Sequence, residues 1–208
     1  MIKIIAYVAM LLDHVGKTFF PDEILLAIVG RLAFPLFAYG IVKGFSRTNN
    51  FRKYAMRILL LAIISQVPYG LLFQVNYLNV CFTLLAGLFV LKILATRWSI
   101  PIKMLLITFI CFVSVQMNFE YGIYGIATIV IFHKIKNVIW IILFQTLFIL
   151  QGISSYQFDK MQLLSLFSII VIFIFRNRFM KFRINKIIQY SFYPVHMIIL
   201  IVLKQLIK

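Results

Sequence analysis

Runs of roughly 20 apolar residues, separated by short polar and basic stretches, recur along the whole chain. None alternates apolar and polar positions as a half-buried strand would, so the pattern predicts helices and excludes a membrane β-barrel. Nine helical segments are expected, over residues 2–20, 24–45, 53–73, 78–96, 100–118, 120–134, 137–151, 160–176 and 187–205. No internal repeat, low-complexity tract or Ser/Gly-rich linker divides them, which predicts one all-α, polytopic transmembrane bundle over residues 1–208. Composition points the same way. At 63% hydrophobic and 12% charged residues, the chain holds more apolar surface than a soluble domain of 208 residues could bury. The first segment carries Asp13 and His14 and leads into a second apolar run rather than a small-residue cleavage site, so it is expected to stay in the protein.

A formal charge of +16 would suggest nucleic acid in a soluble protein, but the positions of the charges argue for a bilayer. With the N-terminus placed in the cytoplasm, sixteen of the 21 basic residues fall on the inner side, densest around 43–57 and 176–186. The outer side holds Lys17, Lys160, Lys204 and Lys208 together with Asp22, Glu23, Glu120 and Asp159. This is the positive-inside bias, and it predicts N-terminus in, C-terminus out, and no nucleic-acid partner. The two dense inner loops also offer a surface for an anionic cytosolic ligand such as a nucleotide phosphate. Cys81 and Cys111 lie in apolar spans and read as small buried hydrophobes.

Against this background three charged or titratable groups stand inside apolar segments: Asp13 and His14 in the first and Arg31 in the second. Each costs a few kcal/mol to insert, which marks the trio as the place to seek function. At 1.5 Å per residue, Asp13 and His14 lie about 9 Å below the outer face and Arg31 about 10 Å. The same arithmetic puts Thr83 at roughly 7 Å, Gln145 at roughly 9 Å, Gln66 at roughly 10 Å and His196 at roughly 13 Å, with Asn79 and Glu120 near the rim. A shared polar layer is the expectation. Asp13 falls on a small-residue stripe with Ala6, Ala9 and Gly16, which admits a close neighbour helix. His14 lies about 100° away, beside Tyr7, Met10 and Thr18, so Asp13 is expected to pair with Arg31 or His196 while His14 faces a cavity. Pro35 should kink the second span beside Arg31. Glu120, Tyr121 and Tyr124, in EYGIYG, read as outer-interface anchors or as substrate contacts.

An imidazole in such a layer can act as a general base, carry an acyl group, bind metal or relay protons. Three scattered histidines without HxxxH or CxxC spacing argue against zinc, and no Walker loop, Gly-rich nucleotide turn or GxSxG elbow occurs. A proton-coupled transporter or flippase, a non-catalytic partner of an assembly machine, and a purely structural polar network are the alternatives to catalysis. The polar layer is confined mostly to the outer half, and no repeat of the alternating-access kind is visible.

The segments KIIAYVAMLLDHVG (3–16), GRLAFPLFAYGIVKGF (30–45), RKYAMRILLLAIISQVPYGL (52–71), NVCFTLLAGL (79–88), YGIYG (121–125) and YSFYPVHMIIL (190–200) together carry a family pattern. In order, and over nearly the whole chain, it resembles the TraX family, the membrane acetyltransferases associated with modification of conjugative pilin. The DHxG, GRxAFPxF and KYxxR elements are its specific part. The resemblance extends to the wider group of transmembrane acyltransferases, and implies a multi-pass protein of the bacterial inner membrane. It implies His14 as base or acyl carrier, with Asp13 and Arg31 in the catalytic group and Arg31 at the oxyanion or thioester carbonyl. Arg57, Thr83, Glu120, Tyr124 and His196 are the expected contacts to substrate or acyl-coenzyme A. Acetyl-coenzyme A is the implied donor, with no metal, and a pilin-like or other peptide, or an envelope glycan, the acceptor. The donor must reach His14 from the cytosol, by a pantetheine arm threading into the bundle or by an acetyl-His relay. One departure is Gln66, which stands where the family pattern tends to place an acid before the proline.

Overall fold

The computed structural model describes residues 2–155, 160–175 and 185–207. The described residues form ten α-helices and one 3-10 segment. They are α1 (Ile2–Phe19), α2 (Ile24–Gly30), α3 (Ala33–Phe45), α4 (Phe51–Phe73), α5 (Val80–Leu94), α6 (Ile100–Gln116), α7 (Gly122–Lys134), α8 (Val138–Ser155), the 3-10 segment Lys160–Leu166, α9 (Phe167–Phe175) and α10 (Lys186–Leu206). The basic residues Arg176, Arg178, Lys181 and Arg183, and Asp159, lie outside the described residues.

The helices coincide with the nine expected segments, two of which are subdivided. The segment 24–45 breaks at Arg31–Leu32 into α2 and α3. Pro35 is the cause, because it donates no N–H and its ring collides with the carbonyl four residues back, that of Arg31. Asparagines set four helix starts: the side chains of Asn50, Asn79, Asn137 and Asn185 accept from the backbone N–H groups of Lys53, Cys81, Ile139 and Ile187. Between α6 and α7 the chain turns through Asn118 and Tyr121 at positive φ and is pinned to Leu78, whose N–H donates to the Asn118 carbonyl while the Glu120 N–H donates to the Leu78 carbonyl. That left-handed turn divides the two helices at Glu120.

Among the described residues three helical segments, Ile24–Phe45, Phe51–Phe73 and Ile187–Ile207, are long and apolar enough to cross a membrane. Val80–Leu94, Ile100–Gln116, Gly122–Lys134 and Val138–Gly152 are shorter apolar helices. Large apolar side chains face outward on nearly every element, including Leu25, Ile64, Val67, Leu105 and Ile139. The interior is built by α1, α3, α4, α5, α7 and α10, around Leu36, Leu88, Leu91, Ile129 and Met197.

The small-residue face of α1 does what its pattern predicts. Ala6, Ala9 and Gly16 are buried, and Asp13 packs so tightly on Gly30 of α2 that a Cβ there would lie 2.5 Å from the Asp13 Cβ. Gly30→Ala must therefore push α2 away from α1, at a cost of about 1–3 kcal/mol. Thermal unfolding in detergent should show this loss. Gly70→Ala, where the added carbon meets nothing nearer than 4.0 Å, should show none.

Candidate functional site

The polar residues expected at one depth resolve into several small networks. Asp13 pairs with Lys17, one helical turn on, at 2.6 Å. This replaces the pairing with Arg31 or His196 read from the sequence. The helix itself explains the choice, since i and i+4 share a face and the Lys17 ammonium can reach toward water. Arg31 sits at the α2–α3 break, within electrostatic reach of Tyr121, as is Asp13.

His14 is buried and meets His196 of α10, with its Nδ1 2.7 Å from the His196 Nε2. The His196 Nδ1 lies 2.6 Å from the Phe192 carbonyl. That carbonyl can only accept, so Nδ1 of His196 carries its proton and, in the neutral ring, Nε2 is the acceptor. The His14 Nδ1–H must then donate to His196, which leaves the His14 Nε2 as a bare lone pair. Phe73 meets the His14 ring edge-on at 4.9 Å, and the Tyr193 ring lies 6.0 Å away. The pair thus has the orientation of a base held by a second group.

A cavity of about 310 Å³ opens at the opposite, basic end of the bundle. Its rim carries Lys3 of α1, Lys43 in the last turn of α3, Arg47 just beyond that helix, and Arg57 of α4. Tyr7, Met10 and Phe37 line its wall, and Val80, Cys81 and Tyr193 line its deep part. Tyr7 and Met10 are the neighbours of His14 on α1, so the cavity follows the stripe that ends at the histidine pair. Lys3 donates to the Gln189 side chain at 3.0 Å and the Tyr7 hydroxyl to the Gln189 carbonyl at 2.9 Å, tying α1 to the start of α10. His14 lies twelve residues beyond Ile2, so roughly 18 Å from the basic end. The Tyr193 hydroxyl is buried with no hydrogen-bond partner among the described residues, a defect worth about 1–3 kcal/mol against the ligand-free fold.

Of the expected substrate contacts, Arg57 lines the cavity. Thr83 donates to the Glu120 carbonyl and holds the α6–α7 turn. The Glu120 carboxyl lies within electrostatic reach of the Tyr69 hydroxyl and the Val80 N–H. The Tyr124 hydroxyl donates to the Gln145 side-chain oxygen at 3.1 Å. His196 stands behind His14. Gln66 donates to the Tyr77 carbonyl at 3.1 Å and accepts from the Asn79 N–H at 3.0 Å, closing the α4–α5 loop. A carboxylate there could not make the first of these bonds. Among the described residues no three His, Cys, Asp or Glu side chains converge as metal ligands. The sequence reading has His14 facing a cavity and does not single out Tyr193, whereas in the structure Tyr193 lines the cavity and His14 does not.

These features define an all-helical protein with helices apolar enough to span a membrane and a buried histidine pair beside a basic-rimmed cavity. A family model described as TraX protein matches residues 1–204, and the chain belongs to the TraX family. It is 34% identical over 149 residues to the "Probable fimbrial assembly protein FimC, serogroup H1" of Dichelobacter nodosus, a match covering 64% of this chain and 60% of that protein. It is 31% identical over 74 residues to an uncharacterised protein of Rickettsia prowazekii (strain Madrid E), covering 36% of this chain and 28% of that one. The matched regions thus span less than two thirds of either relative. No solved structure matches the chain.

Proposed function

We propose that this chain is a multi-pass acetyltransferase of the bacterial inner membrane, moving an acetyl group from cytosolic acetyl-coenzyme A to an amine of a pilin-like or other peptide, or to an envelope glycan. The observation that carries the reading is the cavity, which begins among four cations and ends against the tyrosine that packs on His14. Lys3, Lys43, Arg47 and Arg57 would hold phosphates, and the apolar wall would take the pantetheine arm. This supports threading of the donor over a relay as the answer to the depth of His14. When bound, the donor supplies an activated acyl carbon. His14 takes the proton from the attacking nitrogen or oxygen at Nε2 as the new bond to the acyl carbon forms, and returns it to the departing thiolate as the carbon–sulfur bond breaks.

The test uses membranes containing the protein, acetyl-coenzyme A labelled in the acetyl group, and a search for labelled peptide or glycan. Label should appear in a macromolecular acceptor and be competed by unlabelled coenzyme A. A non-catalytic role in an assembly machine, fimbrial assembly being the process in the name of the Dichelobacter relative, predicts no label.

The reading also requires the basic rim to be cytoplasmic, with nine crossings, N-terminus in and C-terminus out. A single cysteine introduced at Arg47, on that rim, is expected to resist membrane-impermeant thiol reagents in intact cells and to react in inverted vesicles. Ready labelling in intact cells would reverse the orientation.

A further inference from the structure

Tyr193 combines three properties that the acetyl-transfer scheme leaves unused. It lines the deep part of the cavity, it is 4% exposed, and its hydroxyl has no hydrogen-bond partner among the described residues. Its neighbours do not supply one. Cys81, also on the cavity wall, offers only a weak acceptor, and Glu120 lies within electrostatic reach of Tyr193 without a hydrogen bond to its hydroxyl. A buried phenol held in this state is a donor awaiting an acceptor, and the side chain that carries it borders the cavity. Its ring is also 6.0 Å from that of His14, so a carbonyl that met the hydroxyl would lie beside the proposed base.

We propose that Tyr193 is the hydrogen-bond donor to the acyl carbonyl oxygen of the bound thioester. It would polarise the carbon toward attack and stabilise the negative charge that gathers on oxygen as the nitrogen–carbon bond forms. No proton leaves the phenol: the oxygen's charge returns to the carbonyl when the carbon–sulfur bond breaks, and the proton lost by the nucleophile goes to His14. The inference rests on the acetyltransferase reading and assigns the oxyanion role to Tyr193, whereas Arg31 lies toward Tyr121 at the α2–α3 break.

Tyr193→Phe removes only the hydroxyl. Its kcat is expected to fall on the order of 10²-fold with KM for acetyl-coenzyme A changed less than threefold, and the ligand-free variant should melt no lower than the parent, because no hydrogen bond is lost. A hydroxyl with a structural partner would show the reverse, a lower melting temperature with kcat retained. The independent readout is the infrared carbonyl stretch of acetyl-coenzyme A carrying carbon-13 at the thioester carbon, bound without acceptor. It should move to lower frequency in the parent and return toward its solution value in Tyr193→Phe. Acetyl transfer without a Tyr193-dependent shift would overturn this inference alone. A Tyr193-dependent shift without any transfer would uphold it while refuting the transferase reading, and failure of acetyl-coenzyme A to bind would overturn both.

Discussion

Replacing His14 with alanine should reduce acetyl transfer by about 10²–10⁴-fold, the range a positioned acid–base group supplies. The expectation follows from the geometry of its Nδ1, which is committed to His196 and so leaves Nε2 free to take a proton. The substitution also strands the His196 Nε2 without its donor, at a cost of roughly 1–3 kcal/mol. The measurement therefore pairs turnover with thermal unfolding in detergent. Loss of turnover in a protein that still folds assigns the chemistry to His14. Retained turnover would refute it, and collapse of expression with activity retained per folded molecule would make the histidine pair a structural bolt between α1 and α10. Acetyl-coenzyme A should still bind to the variant, because the rim cations and the cavity wall are untouched.

Much of the architecture could be read from the chain because a bilayer constrains it so tightly. Unbroken apolar runs can satisfy their backbone only as helices, and Pro35 marked a break that the structure places at Arg31–Leu32, four residues upstream. The small face of α1 was equally legible, since Ala6, Ala9 and Gly16 leave room for one kind of neighbour only. Partner choice was not. Depth arithmetic along each helix puts Asp13, His14 and Arg31 at one level and His196 somewhat deeper, but it carries no information about azimuth once helices rotate against one another. So Asp13 found Lys17 on its own helix, and His14 found His196, a residue 182 positions away. Thr83 meets the Glu120 carbonyl at the turn between α6 and α7, while Tyr124 meets Gln145 between α7 and α8, so these residues form two separate local contacts. A cavity leaves no periodic signature in sequence. Its basic rim was visible as a charge cluster around 43–57, while its wall, drawn from α1, α3, α4, α5 and α10, became visible only when the helices were packed.

His196 is the place where that packing yields a sharp result. The sequence reading has it touch substrate; in the structure it stands against His14 and the Phe192 carbonyl, and under the proposed acetyl transfer that would make it a positioning residue. Removing its acceptor nitrogen with His196→Leu frees the His14 ring to place its proton on Nε2, the wrong tautomer for a base, and kcat should fall by about 10²-fold. KM for acetyl-coenzyme A should stay within a factor of two or three of the parent, as the cavity wall is formed by other side chains. His196→Gln is the informative companion, since an amide oxygen can accept from the His14 Nδ1–H and should restore a good part of the loss at equal stability. Nitrogen-15 spectra of labelled histidine give the same answer without turnover. In the parent the His14 Nδ1 should be the protonated nitrogen, and in His196→Leu the protonated population should move toward Nε2. Equal kcat for the leucine and glutamine variants, or a His14 already protonated at Nε2 in the parent, would mean that the contact between the two rings packs the helices and does not tune the base.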